Sequence, residues 1–110
     1  MIAITPQAPY YAVIFTSIRT EGDHGYEAMS ERMAELAALQ PGYLGVESAR
    51  NDIGITVSYW RDLESIKAWK AQTEHLVAQQ TGRSDWYAHY TTRIAKVERD
   101  YTFSQPLTSP

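Results

Sequence analysis

The 110-residue sequence predicts an α+β fold in the order βαββαβ, an antiparallel sheet with two helices on one of its faces. Three observations predict it. Four segments are rich in β-branched and aromatic residues, two segments repeat their apolar residues with a helical period, and turn-forming residues punctuate the chain between them.

In chain order, Pro6 and Pro9 mark an N-terminal arm, residues 1–9, that ends where the first strand begins. Tyr10 to Arg19 (YYAVIFTSIR) is that strand. Asp23 and Gly25 break the pattern, and from Tyr26 the positions Met29, Met33 and Leu36, with Ala37, fall on one face of a helix that Pro41-Gly42 stops. Tyr43 to Ala49 reads as a second strand, Asn51-Asp52 as a turn and Ile53 to Trp60 as a third strand. Asp62 is placed to cap a second helix carrying Leu63, Ile66, Trp69 and Leu76. Gly82-Arg83-Ser84 interrupts, and Tyr87 to Tyr101 reads as a long fourth strand. The last residues, 104–110 (SQPLTSP), form a polar tail, leaving residues 10–103 as one domain. This element order is that of the ferredoxin-like fold, whose first and third strands occupy the middle of the sheet. Here those two strands are the most apolar.

Composition narrows the function classes. The hydrophobic fraction is 44% and the charged fraction 21%, both globular values, and the net charge of −3 is spread without a basic stripe, so no nucleic-acid partner is expected. The longest apolar run is Tyr10 to Phe15, far short of a bilayer span, and no signal-like block opens the chain; no membrane partner is expected. The absence of cysteine removes disulfides and thiolate chemistry and fits a cytoplasmic location. Three scattered histidines give no metal-ligand spacing, and no Gly-rich phosphate loop is present. Thirteen aromatic residues, eight of them Tyr and three Trp, suit pocket walls and subunit interfaces as well as an ordinary core.

Strand alternation adds an expectation about assembly. On the first strand Tyr10, Ala12, Ile14 and Ile18 point one way and Tyr11, Val13 and Phe15 the other, while the fourth strand sets Val97 against Tyr90 and Ile94. Two helices cover one face of a sheet. The second apolar face is expected either to pair with that of another copy, giving a homodimeric α+β barrel, or to be covered by the terminal arms.

Two stretches, Gly54 to Gln80 (GITVSYWRDLESIKAWKAQTEHLVAQQ) and Trp86 to Phe103 (WYAHYTTRIAKVERDYTF), resemble the antibiotic biosynthesis monooxygenase-like superfamily, most specifically through Tyr59-Trp60, Trp69 and then His75. The resemblance covers residues 10–103 and implies a ferredoxin-like protomer that pairs as a dimeric α+β barrel. It also implies an enzyme that oxidises phenols or quinols without a cofactor, or one that degrades haem. The haem-degrading branch carries an Asn on the first strand, a Trp in the second helix and an axial His ten residues later. Here Tyr10 to Thr20 holds no Asn and Gln79 stands in the histidine's place, so haem is not expected to find its axial donor.

Oxygenation without a cofactor requires a base near neutrality, an apolar cavity and donors for a developing anion. Imidazole suits the first task. His24 lies in a turn, where solvation is the ordinary fate; His89 lies on the fourth strand, on a face read as shared with Tyr87, Thr91 and Arg93. His75 matches the family position but falls about 120° from Trp69 on the helical wheel, so it reaches the same pocket only if a break at Gln72-Thr73 re-aims it. The candidate catalytic residues are therefore His75 and Trp69, and the candidate substrate-binding residues Tyr59, Trp86, His89 and Arg93. Each also has a structural alternative: a surface histidine, a core tryptophan, or an Arg93 paired with Glu47. The expected function is a cofactor-independent monooxygenase on a small aromatic, phenolic or quinol-type molecule. The alternative is a non-catalytic dimeric module that binds a small hydrophobic ligand.

Overall fold

The computed structural model describes residues 1–79 and 85–106, with the side chains of 76–79 left aside. The expectations for Leu76, for the Gly82 to Ser84 interruption and for the end of the tail lie outside the described residues. The elements are β1 (Tyr10–Arg19), α1 (Tyr26–Ala38), β2 (Tyr43–Arg50), β3 (Gly54–Trp60), α2 (Leu63–Gln79) and β4 (Tyr87–Val97). All strand pairs are antiparallel in the order β2-β3-β1-β4, which puts β1 and β3 at the centre as the apolar pattern predicts. The fourth strand is shorter than expected. Val97 pairs with Tyr10, the first residue of β1, so residues 98–101 have no β1 backbone left to bond and leave the sheet.

Both helices begin on aspartates. The Asp23 carboxylate accepts the N–H groups of Gly25 (2.9 Å) and Glu27 (3.1 Å), satisfying donors at the start of α1. Asp62 caps α2, accepting the Ser65 N–H at 2.8 Å and the Ser65 hydroxyl at 2.7 Å. Those bonds, the hydroxyl's first, hold the Asp62 carboxyl below the usual carboxylate range. Ser65 in turn packs on Gly42, where φ is +84° and an added Cβ would lie 2.0 Å from its Oγ. The Arg61 N–H donates to the Gly42 carbonyl at 2.8 Å, so the start of β2 and the entry to α2 are tied together.

Helix α1 turns Tyr26, Met29, Met33, Leu36 and Ala37 inward, as its period predicts. Helix α2 turns inward Ser65, Ile66 and Trp69; Leu63, expected on that face, is 52% exposed at the first turn. The helix runs unbroken through Thr73, whose hydroxyl donates to the Lys70 carbonyl of the preceding turn rather than capping a new start.

Register fixes which strand residues meet the helices. Tyr11, Val13, Phe15, Ser17 and Arg19 of β1 share a face with Trp60, Ser58, Thr56 and Gly54 of β3, and Trp69 of α2 stacks on Trp60 from that side. The helix-free face carries Tyr10, Ala12, Ile14, Thr16 and Ile18 of β1 with Tyr59, Val57 and Ile55 of β3. One end of it is covered by the termini. The Ala3 N–H donates to Glu47 Oε2 at 2.9 Å, the Thr5 hydroxyl to the Tyr10 hydroxyl at 3.0 Å, and the Tyr10 hydroxyl to Asp100. The far end stays open, with Ile18 and Ile55 each 45% exposed.

Candidate functional site

The helix-facing side of the sheet carries an aromatic cluster at each end. At the α2 end Trp60 is fully buried and its indole N–H donates to Ser58 Oγ at 2.9 Å. Tyr43 meets Trp60 edge-on at 5.6 Å, and Trp69 stacks on it at 6.1 Å with the planes 27° apart. Trp69 is half-buried, and its own N–H has no hydrogen-bond partner among the described residues. A half-buried indole whose N–H is not taken up by the protein can be satisfied by water or by a ligand.

At the opposite end, roughly 20 Å along the strands at ~3.3 Å per residue, Phe15, Tyr87 and Tyr90 pack together with ring centroids 5.2 to 5.6 Å apart. Tyr26 of α1 meets Tyr87 edge-on at 5.7 Å, and the two phenols are hydrogen-bonded. Burial first, and then that bond, push the Tyr87 phenol far above its ordinary value of 10.0, so it stays protonated. Arg19 lies 3.4 Å over the Tyr26 ring and donates from Nε to the Trp86 carbonyl at 2.8 Å. Arg50 crosses the sheet to donate to Ser17 Oγ at 2.6 Å. It can do so because Gly54 stands between Arg50 and Ser17 in the cross-strand row; a Cβ there would lie 2.0 Å from Arg50 Nη2.

Between the two ends, Val13, Phe15, Thr56 and Ser58 are only half-buried although they face the helices, and Ile94, in the same cross-strand row as Val13, is 52% exposed. These half-buried and exposed side chains form a solvent-accessible strip between the two aromatic clusters, called the trough below. A separate groove of about 220 Å³ lies outside it at the α2 entry, lined by residues that include Gln40, Pro41, Asp62 and Ser65. Its Asp62 and Ser65 groups already bond each other.

The structure distributes the sequence-predicted residues over both sides of the sheet. Only Trp69 lines the trough. Trp86 is buried, its N–H donates to the His24 carbonyl at 2.9 Å, and it pins the start of β4 to the loop before α1 instead of forming an open wall. Tyr59 lies on the helix-free face, where its hydroxyl donates to Glu47 Oε1 at 2.5 Å. Burial, followed by that hydrogen bond, raises the Tyr59 phenol to about 12, while the same bond and the Ala3 N–H hold Glu47 below its ordinary value.

His89 and Arg93 also face away from the helices. The expectation that His89 shares a face with Tyr87 is wrong, because a register shift at Ile18/Arg19 makes one step on β1 span two residues of β4 and turns Tyr87 to the other side. The Arg93–Glu47 pair does not form. The two residues terminate one cross-strand row with Ile14 and Val57 between them, three strand spacings or about 14 Å apart. His75 is exposed on the unbroken α2, about 120° around the helix from Trp69, so the re-aiming break does not occur. His24 sits in the exposed loop before α1, its ring Nε2 3.0 Å from the Glu21 carbonyl. No group of three or more metal-ligating side chains occurs among the described residues.

Sequence reasoning missed Arg19, Arg50, Ser17, Tyr87 and Tyr90 as trough residues. Gly54, a glycine opening a strand, was the one available signal, and its meaning depends on knowing that it pairs with both Arg50 and Ser17.

Comparison with known proteins agrees with the fold. The family profile described as antibiotic biosynthesis monooxygenase matches residues 9–81. The uncharacterised protein YqjZ of Bacillus subtilis is 52% identical over 103 residues, which cover 92% of this chain and 90% of that protein. Among solved structures, SnoaB of Streptomyces nogalater, a cofactor-independent oxygenase, superposes with a TM-score of 0.62 at 16% identity, covering 89% of this chain and 100% of its own. PA3566 of Pseudomonas aeruginosa gives 0.59 at 16% identity, covering 87% and 99%. At such identities these two structures speak for the fold alone.

Proposed function

Since this chain belongs to the antibiotic biosynthesis monooxygenase family, we propose that it is a monooxygenase for a small aromatic, phenolic or quinol-type substrate, which binds in the helix-side trough and reacts with O₂ without a resident cofactor. The observation that carries the reading is Trp69, a half-buried indole whose N–H is unused by the described residues, stacked on the buried Trp60 beside the partly exposed strip between the two aromatic clusters. Supporting it, SnoaB, which shares the fold, is a cofactor-independent oxygenase.

The chemistry needs little beyond such a site. An anthrone-type substrate, ionised as its phenolic tautomer, passes an electron to O₂. One oxygen atom ends on the substrate carbon as a carbonyl, the other leaves with the two carbon-bound hydrogens as water, and no external reductant is consumed. Trp69 N–H is the donor for the oxyanion that develops. None of the three histidines reaches the trough, so the substrate's own acidity, rather than an imidazole base, supplies the anion. The same placement argues against haem degradation. Haem needs an axial donor facing it, Gln79 occupies the position where the resemblance calls for a histidine, and His24, His75 and His89 lie elsewhere.

The missing base is also the observation that favours the second reading, a binding module that holds a small hydrophobic ligand without turning it over. Oxygen uptake with anthrone separates the two. Trp69→Phe keeps the stacking and removes the donor, and is expected to lower kcat by about 10²-fold, the usual loss for one oxyanion donor. An unchanged kcat would overturn the role of Trp69, and binding without oxygen uptake would favour the module.

The proposed protomer pairs with a second copy through the helix-free face. Ile18 and Ile55 are exposed there beside Ile14 and Val57, and the arms bring further exposed apolar groups, Ile4 at 90% and Phe103 at 87%. Such a concentration of apolar surface on one small chain is characteristic of an interface.

A further inference from the structure

We infer that the Arg50 end of the trough is an anion subsite, built to take a carboxylate carried on the ring system of an aromatic ligand. The inference rests on the reading of the trough as a ligand site and specifies what that ligand carries. Charge is the first argument. The helix-facing residues of the four strands include Arg19, Arg50 and Lys96 and not one Asp or Glu, although the chain as a whole is acidic at −3. The acidic residues of α1, Glu27, Glu31 and Glu35, are all exposed on its outer side. Arg50 itself is exposed on the edge strand β2, so an anionic ligand reaching this end of the sheet from solvent meets positive potential there.

Hydrogen bonding is the second argument. The only ion pair among the described residues joins Arg61 to Asp62, so Arg50 has no carboxylate partner. One of its terminal nitrogens is fixed by Ser17, which is itself 1% exposed, and this positions the guanidinium over the Gly54 gap while leaving other N–H groups unused. An arginine holds a carboxylate through two parallel N–H···O bonds, a geometry that a point charge cannot reproduce. Phe15, Tyr87 and Tyr90 stand beside this row as stacking surfaces for the ring that bears the carboxylate. Tyr87, kept neutral by burial, remains a phenol in the field of Arg19 and Arg50.

The test compares two compounds of one shape at pH 7, 1-hydroxy-2-naphthoate and 1-naphthol, by isothermal titration calorimetry. The naphthoate is expected to bind wild-type protein at least about 10-fold more tightly, the range of a hydrogen bond to a charged group. Its affinity is expected to fall with added NaCl while that of naphthol holds. In Arg50→Gln the ratio of the two affinities collapses toward one. Gly54→Ala, whose Cβ displaces the guanidinium from Ser17 without removing its charge, gives an intermediate ratio. Equal binding of the two compounds to wild-type protein would overturn the subsite and leave the aromatic trough standing. A ratio untouched in Arg50→Gln would overturn the role of Arg50. No binding of either compound would remove the subsite together with the trough reading. The salt titration needs no variant, so it decides the matter even where a substitution fails to fold.

Discussion

Replacing Gly42 by alanine should loosen the seat of α2, and the structure supplies both the size of the effect and its control. At Gly42 φ is +84°, a region that costs a residue with a Cβ about 1–2 kcal/mol. The new Cβ would also lie 2.0 Å from Ser65 Oγ and 2.6 Å from Ser65 Cβ. Ser65 must then give way, and with it the two bonds to Asp62 that cap α2, worth about 1 kcal/mol more. Gly25 is the control. Its φ is +81°, but nothing lies within 4 Å of an added Cβ, so Gly25→Ala should lose only the backbone share. Urea unfolding should therefore give a loss of about 2–3 kcal/mol for Gly42→Ala and about 1–2 kcal/mol for Gly25→Ala. Because α2 carries Trp69 onto Trp60, tryptophan emission should change in the first variant. Equal losses in the two proteins, or a larger one for Gly25→Ala, would refute the claim that close packing of Gly42 on Ser65 seats the helix.

Alkaline titration followed by phenolate absorbance should find Tyr59 ionising near 12, above the ordinary 10.0. Its folded value is the higher one, so its contribution to stability is complete below pH 10 and is lost as pH rises toward 12. Glu47 works in the opposite direction: its folded value lies below the ordinary 4.5, so its contribution is present above that pH and disappears as pH falls through the lowered value. The stability gap between wild type and Tyr59→Phe should accordingly close in acid, as read by urea unfolding at stepped pH. Light scattering should give twice the 12.5 kDa chain mass, and Ile18→Lys or Ile55→Glu should shift it toward the single chain. His75→Ala should leave oxygen uptake with anthrone within about twofold of wild type, since a general base would cost at least about 10²-fold; a large loss would restore His75 to the chemistry.

The order of elements and the central place of β1 and β3 were legible because hydrophobic period and β-branched content report directly on local conformation. Asp62 was legible as a cap for the same reason, its partner being three residues away. Trp69 was legible from the wheel. What stayed hidden depends on register. β3 reads GITVSYW, and its adjacent aromatics Tyr59 and Trp60 face opposite sides of the sheet, one toward Glu47 and the other toward Trp69. No alternation of polar and apolar residues says which is which. On β4 one register shift reverses the relation between Tyr87 and His89, and a one-residue slip exchanges the faces of every side chain beyond it. Arg50 reads in sequence as the solvated end of a hairpin strand, and it is exposed; only its pairing with Gly54, and the pairing of Gly54 with Ser17, shows that its guanidinium reaches across to Ser17. The break expected at Gln72-Thr73 failed for a different reason, since the Thr73 hydroxyl bonds the preceding turn and leaves the helix unbroken, with His75 on its exposed side.

The central claim is that the trough beside Trp69 oxidises an ionisable aromatic ring with O₂ alone. Its most direct test is turnover of anthrone under ¹⁸O₂ in metal-stripped buffer, with the product read by mass spectrometry. The account predicts oxidation well above the buffer rate, one ¹⁸O atom in each anthraquinone, and a rate that collapses in Trp69→Phe. Anthraquinone formed no faster than in buffer, or carrying no label from O₂, would contradict it.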